Sequence, residues 1–168
     1  MQGFLLDTNI LCYLFNGSHE HYPAVSRHLE ALDPAAPVFV SAVALGEIEY
    51  GHRCVSGEDT ELQRRFNRFV EERFPQVLRI RASTRGAYGM LRSRLFERYA
   101  PPNRRSKIKR PEELIDPTTA MGLGIEENDL WMAAQAMERN LVFVTADKMR
   151  RIRAVLDAGL CVEDWTCP

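Results

Sequence analysis

Four acidic residues, Asp7, Glu47, Asp129 and Asp147, lie far apart in the chain but in similar local settings. Asp7 follows the apolar run Phe4–Leu6, and Asp147 closely follows Leu141–Val144. Glu47 lies in SAVALGEIEYG and Asp129 in ENDLWMAA, both near the start of a predicted helix. Gathered at one place, these acids repel one another: two carboxylates ~4 Å apart cost about 4 kcal/mol at an effective dielectric near 20. Unrelieved, such a cluster takes up protons or opens. Lys148 is the only cationic residue within these motifs. A hard divalent cation resolves the conflict, because Mg²⁺ and Mn²⁺ prefer carboxylate oxygen and meet phosphate oxygens well. The chemistry then expected is phosphodiester hydrolysis by a metal-activated water. Asp7, Asp129 and Asp147 are expected as metal ligands, and Glu47 as a ligand or as the group orienting the attacking water.

Each acid also has a local explanation. Asp7 can cap the D-T-N turn, and Asp129 can be a first-turn acid favoured by the helix dipole. Glu47 can be an exposed helix residue, and Asp147 can cap the short helix after it. Joint placement favours the shared role, because acids so distant in sequence are not local helix pairs. Glu49 points away from Glu47, two residues apart on a helix, whereas Glu126 can share a face with Asp129 as a spare ligand. Thr8, Asn9 and Thr145 stand beside the acids, where they can hold a carboxylate or simply form turns. Trp131, Met132 and Met137 read as core. His19, His21, His28 and His52 have no metal or catalytic spacing.

The elements that must position these residues alternate between strand and helix. Strands are predicted at Phe4–Leu6, Val38–Val40, Val77–Ile80, Leu141–Val144 and Leu160–Val162. Helices are predicted over Asn9–Phe15, His21–Leu32, from a Ser41 cap to about Arg53, and over Thr60–Phe74. Three more follow: from a Ser83 or Thr84 cap to about Tyr99, from an Asn128 cap to about Arg139, and over Asp147–Val155. This alternation predicts an α/β/α three-layer sandwich around a mostly parallel sheet. In such folds ligands bind beyond the carboxyl ends of the strands. Pro101-Pro102 ends the fifth helix, and the stretch from about 100 to 119 reads as a basic insertion within a single domain covering 1–168.

The 168 residues suit one core, and a hydrophobic fraction of 45% with 27% charged is ordinary for a soluble globular protein. No apolar run approaches the ~20 residues of a membrane-spanning helix. The opening MQGFLLDTNILCYLF has no basic leader or small-residue cleavage site, so a cytoplasmic location is expected. The four cysteines form no C-x-x-C pair and no zinc spacing, and reduced thiols are expected. Net charge is −1, yet Arg92–Arg110 holds eight cationic residues against Glu97 alone. That strip suggests a polyanionic partner, although a solvated charged loop explains it as well.

LLDTNIL, GEIEYG, ENDLWMAAQA and VFVTADK together resemble the acidic motifs of PIN domains, above all the toxins of bacterial VapBC toxin–antitoxin pairs. No one of these motifs is specific; four in this order span Phe4 to Trp165. The resemblance implies a small α/β/α sandwich and RNA cleavage with Mg²⁺ or Mn²⁺. It maps the family's acids onto Asp7, Glu47, Asp129 and Asp147, with Thr145 as a lesser member. It also implies a homodimer neutralised by a small antitoxin, whose C-terminal tail lies across the active site. The basic insertion exceeds a minimal member, and Arg104, Arg105, Lys107, Lys109 and Arg110 are candidates to grip RNA phosphates. A lineage-specific loop or an antitoxin contact would account for them equally.

Two other readings compete. A haloacid-dehalogenase-type phosphatase also uses an aspartate after its first strand and Mg²⁺, but needs a second acid two residues later, where this chain has Asn9. A degenerate PIN fold could serve as an RNA-binding or interaction module, and such domains have usually lost one or more acids.

Overall fold

The computed structural model describes residues 2–54, 60–101, 103, 110–156 and 159–167. Its centre is a pair of short apolar strands, β1 (Gly3–Leu6) and β4 (Leu141–Val144), buried along their whole length. Strands covered on both faces are continuously apolar rather than alternating, and GFLL and LVFV have that character. β2 (Val38–Ser41), β3 (Val77–Leu78) and β5 (Cys161–Glu163) complete a five-stranded sheet in the order β3-β2-β1-β4-β5, every pair parallel. Parallel neighbours require crossovers, here supplied by α1 (Thr8–Phe15), α2 (Tyr22–Glu30), α3 (Ala42–Cys54), α4 (Thr60–Arg73), α5 (Thr84–Tyr99), α6 (Glu127–Glu138) and the single turn α7 (Arg150–Arg153). Crossovers are right-handed. The strand order grows one way from β1 to β3 and then jumps back to β4, so the later helices cover the opposite face. The result is the expected α/β/α arrangement.

That reversal of strand order sits between β1 and β4, the two central strands. Their carboxyl ends diverge into different connections, and the crevice between them is where open α/β sheets place ligands. Asp7 directly follows β1, and Thr145 directly follows β4. Below the crevice, Leu5, Leu6, Ile10, Leu11, Leu130, Phe143 and Ile152 are almost wholly buried. Trp165 closes the opposite end of β1 against Phe4, their ring centroids 5.6 Å apart. Gly3 lets the chain pass closely there: a Cβ would stand 2.8 Å from Leu141 Cδ2 and 3.1 Å from Pro37 Cγ, so Leu141 would have to shift.

Four local expectations are corrected. β3 ends at Leu78, leaving Ile80 46% exposed, because this edge strand pairs with β2 through only Val77 and Leu78. The last helix is one turn rather than Asp147–Val155, because Met149 adopts a left-handed conformation (φ 46°) that interrupts it. Ser83 occupies the N-cap position of α5 but makes no capping side-chain bond; its hydroxyl and that of Thr84 donate to Glu138 at the far end of α6. Asn128 does not cap α6; Glu126 does, in a reciprocal capping box with Asp129. Ser41 does act as a cap, its Oγ accepting from Val43 N at 3.0 Å while donating to Gln135 at 2.6 Å. This buried bond fixes α3 against α6. All four cysteines are free thiols.

Within the expected insertion, the described residues are anchored. Pro111–Glu113 forms a 3₁₀ turn, Leu114 is fully buried, and Ile115 bridges antiparallel to Gly122. Asp116 is buried and paired with Arg151. Arg104, Arg105, Lys107 and Lys109 lie outside the described residues. Arg110 is exposed.

Candidate active site

Asp7 is the innermost acid, 4% exposed at the junction of β1 and α1. Its Oδ1 accepts from Thr8 N at 2.7 Å, which starts α1, as a capping aspartate does. Its Oδ2 faces a second set of donors, Asn9 Nδ2 at 3.0 Å and Thr145 Oγ1 at 2.5 Å. Asp7 is therefore both a cap and a carboxylate held in a defined orientation. Thr145 also accepts from Asp147 N at 3.0 Å, and Asn9 Oδ1 accepts from Ala146 N at 3.2 Å. These bonds join the β1 and β4 ends into one polar cluster across the crevice. Asp147 lies at its exposed rim, its Oδ1 accepting from Met149 N at 3.2 Å.

Glu47 projects from the second turn of α3. Thr8 donates to Glu47 Oε2, and Asn128 Nδ2 donates to Oε1 at 2.8 Å. Both oxygens are thus fixed by residues of other helices. Asn128 has the chemistry of a helix cap, the role its sequence position suggests, but serves instead to hold Glu47. Only the separation of 81 positions being closed by the fold reveals this. Thr8 likewise supports Glu47 rather than Asp7 through its side chain. Asp129 occupies the first turn of α6, its Oδ2 accepting from Glu126 N at 2.8 Å. Glu126 is exposed and committed to the capping box.

Neighbouring carboxylates act on Asp7 and Asp129. Burial raises the pKa of Asp7 above the usual carboxylate range, and the charges of Glu47 and Asp147 raise it further, partly offset by bonds from Thr145 and Thr8. Burial likewise pushes Asp129 up to about 7, with Asp7, Glu126 and Asp147 adding to the effect. None of these leading influences is cationic. The site is therefore a cluster of mutually repelling oxygen donors, the electrostatic setting in which a hard cation is bound. It is not a finished cage, since among the described residues no three His, Cys, Asp or Glu groups come close enough to share one ion. Asp129 is turned toward Glu126 N, and Glu47 toward Thr8 and Asn128. A cation held by these acids would have to draw them from those partners. The donor set fits Mg²⁺ or Mn²⁺, all four acids being oxygen donors with no thiolate or imidazole among them.

A PIN-domain profile matches residues 4–155 of the sequence. The chain belongs to the PIN-domain family. Solved structures share the fold of this PIN domain over nearly its whole length. One is VapBC2 from Rickettsia felis bound to a DNA fragment from its promoter, at 24% identity and TM-score 0.67, covering 96% of this chain and 98% of that one. VapBC-1 from nontypeable Haemophilus influenzae matches at 22% identity and TM-score 0.68, covering 97% and 98%. VapBC-5 from Mycobacterium tuberculosis, a member of the VapBC family of toxin–antitoxin systems, matches at 22% and TM-score 0.52, covering 98% of each chain. No curated protein matches the sequence. Among the described residues of this PIN domain, no helix is long and apolar enough to cross a membrane.

The bonds around Thr145 give a first expected result. Thr145→Val keeps the shape of a fully buried side chain but removes the hydroxyl shared by Asp7 and Asp147 N. Groups that orient metal-binding residues typically contribute about 10–100-fold in affinity or activity. A loss of that size is expected in Mn²⁺-dependent activity, with Mn²⁺ affinity read in parallel by calorimetry. Unchanged activity and affinity would mean Thr145 is only a turn residue.

Proposed function

We propose that this PIN domain is a divalent-metal-dependent endoribonuclease, the toxin of a toxin–antitoxin pair, working on RNA in the cytoplasm. The observation that carries the reading is the mutual electrostatic coupling of carboxylates from separate segments at the crevice between β1 and β4. Asp7, Asp129 and Asp147 would hold Mg²⁺ or Mn²⁺, and Glu47 would complete the set or direct the attacking water. Such an ion, when bound, supplies Lewis-acid stabilisation of the phosphodiester and lowers the pKa of a bound water. The protein's own contribution is orientation. Thr145 and Asn9 aim Asp7, while Thr8 and Asn128 aim Glu47, so that little reorganisation is left for the reaction itself.

Matches to toxin–antitoxin assemblies support a small antitoxin as partner; a homodimer as the working form belongs to the same reading and follows from the family resemblance alone. The insertion residues Arg104, Arg105, Lys107, Lys109 and Arg110 add RNA affinity in this reading. Their replacement by Ala should reduce the salt dependence of cleavage. An unchanged slope would remove them from the account.

The deciding assay is purified protein with Mg²⁺ or Mn²⁺ on a panel of tRNA and rRNA fragments. Cleavage is expected, and EDTA is expected to abolish it; cleavage that persists in EDTA contradicts the mechanism. One second reading has an observation in its favour. The absence of a preassembled cage among the described residues suits a degenerate PIN fold that binds RNA or protein without cutting. Metal binding with no cleavage of any fragment in the panel would select it. The phosphatase alternative loses ground, because Asn9 uses its amide to hold Asp7 and stands where that enzyme class needs a second acid.

A further inference from the structure

Three depressions with shared lining residues lie along the β4–α7–α5 side. The first, small, is lined by Asp147, Arg150, Arg151 and the Leu123–Ile125 segment. Arg150 is shared with the second, a groove of about 690 Å³ that also holds Arg153, Ala154 and Leu160. Ala154 is shared with the third, which is lined by Arg94, Glu97 and Arg98. Taken in that order, the lining begins at one of the four acids, Asp147, and continues through Arg150 and Arg153 to Arg94 and Arg98. Arg150 and Arg153 are exposed, and no carboxylate partner is seen for either among the described residues. Arg151 is neutralised by Asp116. Arg94 and Arg98 are fixed in place, donating to the carbonyls of Val155 and Ala154 at 3.1 and 3.0 Å just past α7. The orientation of Arg98 therefore costs little further entropy when an anion arrives.

We propose that this groove is a phosphate track: it takes the backbone of single-stranded RNA leaving the carboxylate crevice, with Arg150 and Arg153 making the principal contacts. The proposal rests on the nuclease reading above for its choice of polyanion. RNA is favoured over an acidic protein segment because the track begins at Asp147. A chain whose scissile phosphate lies among the acids must place its neighbouring phosphates along one of the exits. Fixed guanidinium groups give such binding affinity without sequence choice.

The test uses the full chain in an Asp7→Asn background without metal, so that RNA is bound and not cut. Binding of a fluorescent single-stranded oligo(U) is followed by anisotropy over a KCl series. Each phosphate contact to single-stranded nucleic acid contributes about 0.7 to the slope of log K against log salt. Arg150→Ala with Arg153→Ala should therefore flatten the slope by about 1.4 and weaken binding roughly 25-fold at ~0.1 M salt. Arg150→Lys with Arg153→Lys should restore most of the slope, and Arg64→Ala with Arg68→Ala on α4 should leave it unchanged. Should the Ala pair fail to fold by circular dichroism, Gln at both positions gives the same reading. An unchanged slope, or an equal loss in the α4 pair, overturns the track. So does binding of a poly-glutamate peptide that depends on the arginines when RNA binding does not; that outcome assigns the groove to a protein partner. The nuclease reading is judged separately, by cleavage of the fragment panel by wild type. An active wild type with an unchanged slope refutes the track alone, and arginine-dependent binding without cleavage refutes the nuclease alone.

Discussion

Asp7→Asn is expected to lower metal-dependent RNA cleavage by on the order of 10³-fold and, at the same time, to raise the melting temperature of the metal-free protein. The two effects share a cause. Asp7 is 4% exposed and ringed by Glu47 and Asp147, so its negative charge is unfavourable until a cation arrives. Burial raises its folded-state pKa above the unfolded value. The sign follows from linkage: the stability associated with a raised carboxylate pKa is full below about pH 4 and is lost as pH rises through the folded pKa. Asn carries no charge to suppress and can keep the Thr8 bond, although its amide nitrogen replaces the oxygen that accepts from Asn9 and Thr145. Its stability relative to Asp should therefore grow from acid to neutral pH. A higher melting temperature than wild type is expected at pH 7.5 in EDTA, and the advantage should shrink toward pH 3. A destabilised Asp7→Asn protein would mean that Asp7 is chiefly a cap for α1. Residual cleavage within tenfold of wild type would remove it from the reaction.

The sequence shows this site unevenly, and the reasons are physical. β1 and β4 stand out because strands buried on both faces have no polar interruption. Asp7 and Thr145 could therefore be placed at strand ends from the sequence alone. The end of β3 could not, since Ile80 is as apolar as a core residue and only the edge position leaves it exposed. Helix starts were least legible. Asn128 has the right chemistry for a cap, but Glu126 and Asp129 satisfy each other's backbone donors. This frees the Asn128 amide for Glu47 across the crevice. Ser83 and Thr84 are drawn instead to Glu138. Local motifs rank candidate partners, whereas tertiary packing decides which partner is within reach. The α7 arginines carried no signal at all, since four residues of one turn have no periodicity to read. Their relation to Arg94 and Arg98 exists only after α7 has docked on α5.

The second large effect is a pH-dependent affinity for the metal. Asp129 has a pKa of about 7, set first by burial and then by Asp7, Glu126 and Asp147. A proton and a cation compete for such a carboxylate. At pH 5.5 a group with that pKa is about 3% ionised, and at pH 8 about 90%, so apparent Mn²⁺ affinity should rise roughly 30-fold between the two. Without metal, the raised pKa makes Asp129 a source of stability present below about pH 4 and lost as pH rises through 7. With saturating Mn²⁺ the trend reverses, because the ion binds best where the proton is gone and stabilises the folded state by mass action. Melting temperatures with Mn²⁺ and with EDTA should therefore diverge progressively from pH 5.5 to 8, and cleavage should climb over the same interval. Asp129→Asn should weaken Mn²⁺ binding at pH 8 and flatten both profiles, because a neutral amide neither titrates nor offers the ion a charge. Equal Mn²⁺ stabilisation at both pH values in wild type would show that Asp129 does not hold the metal.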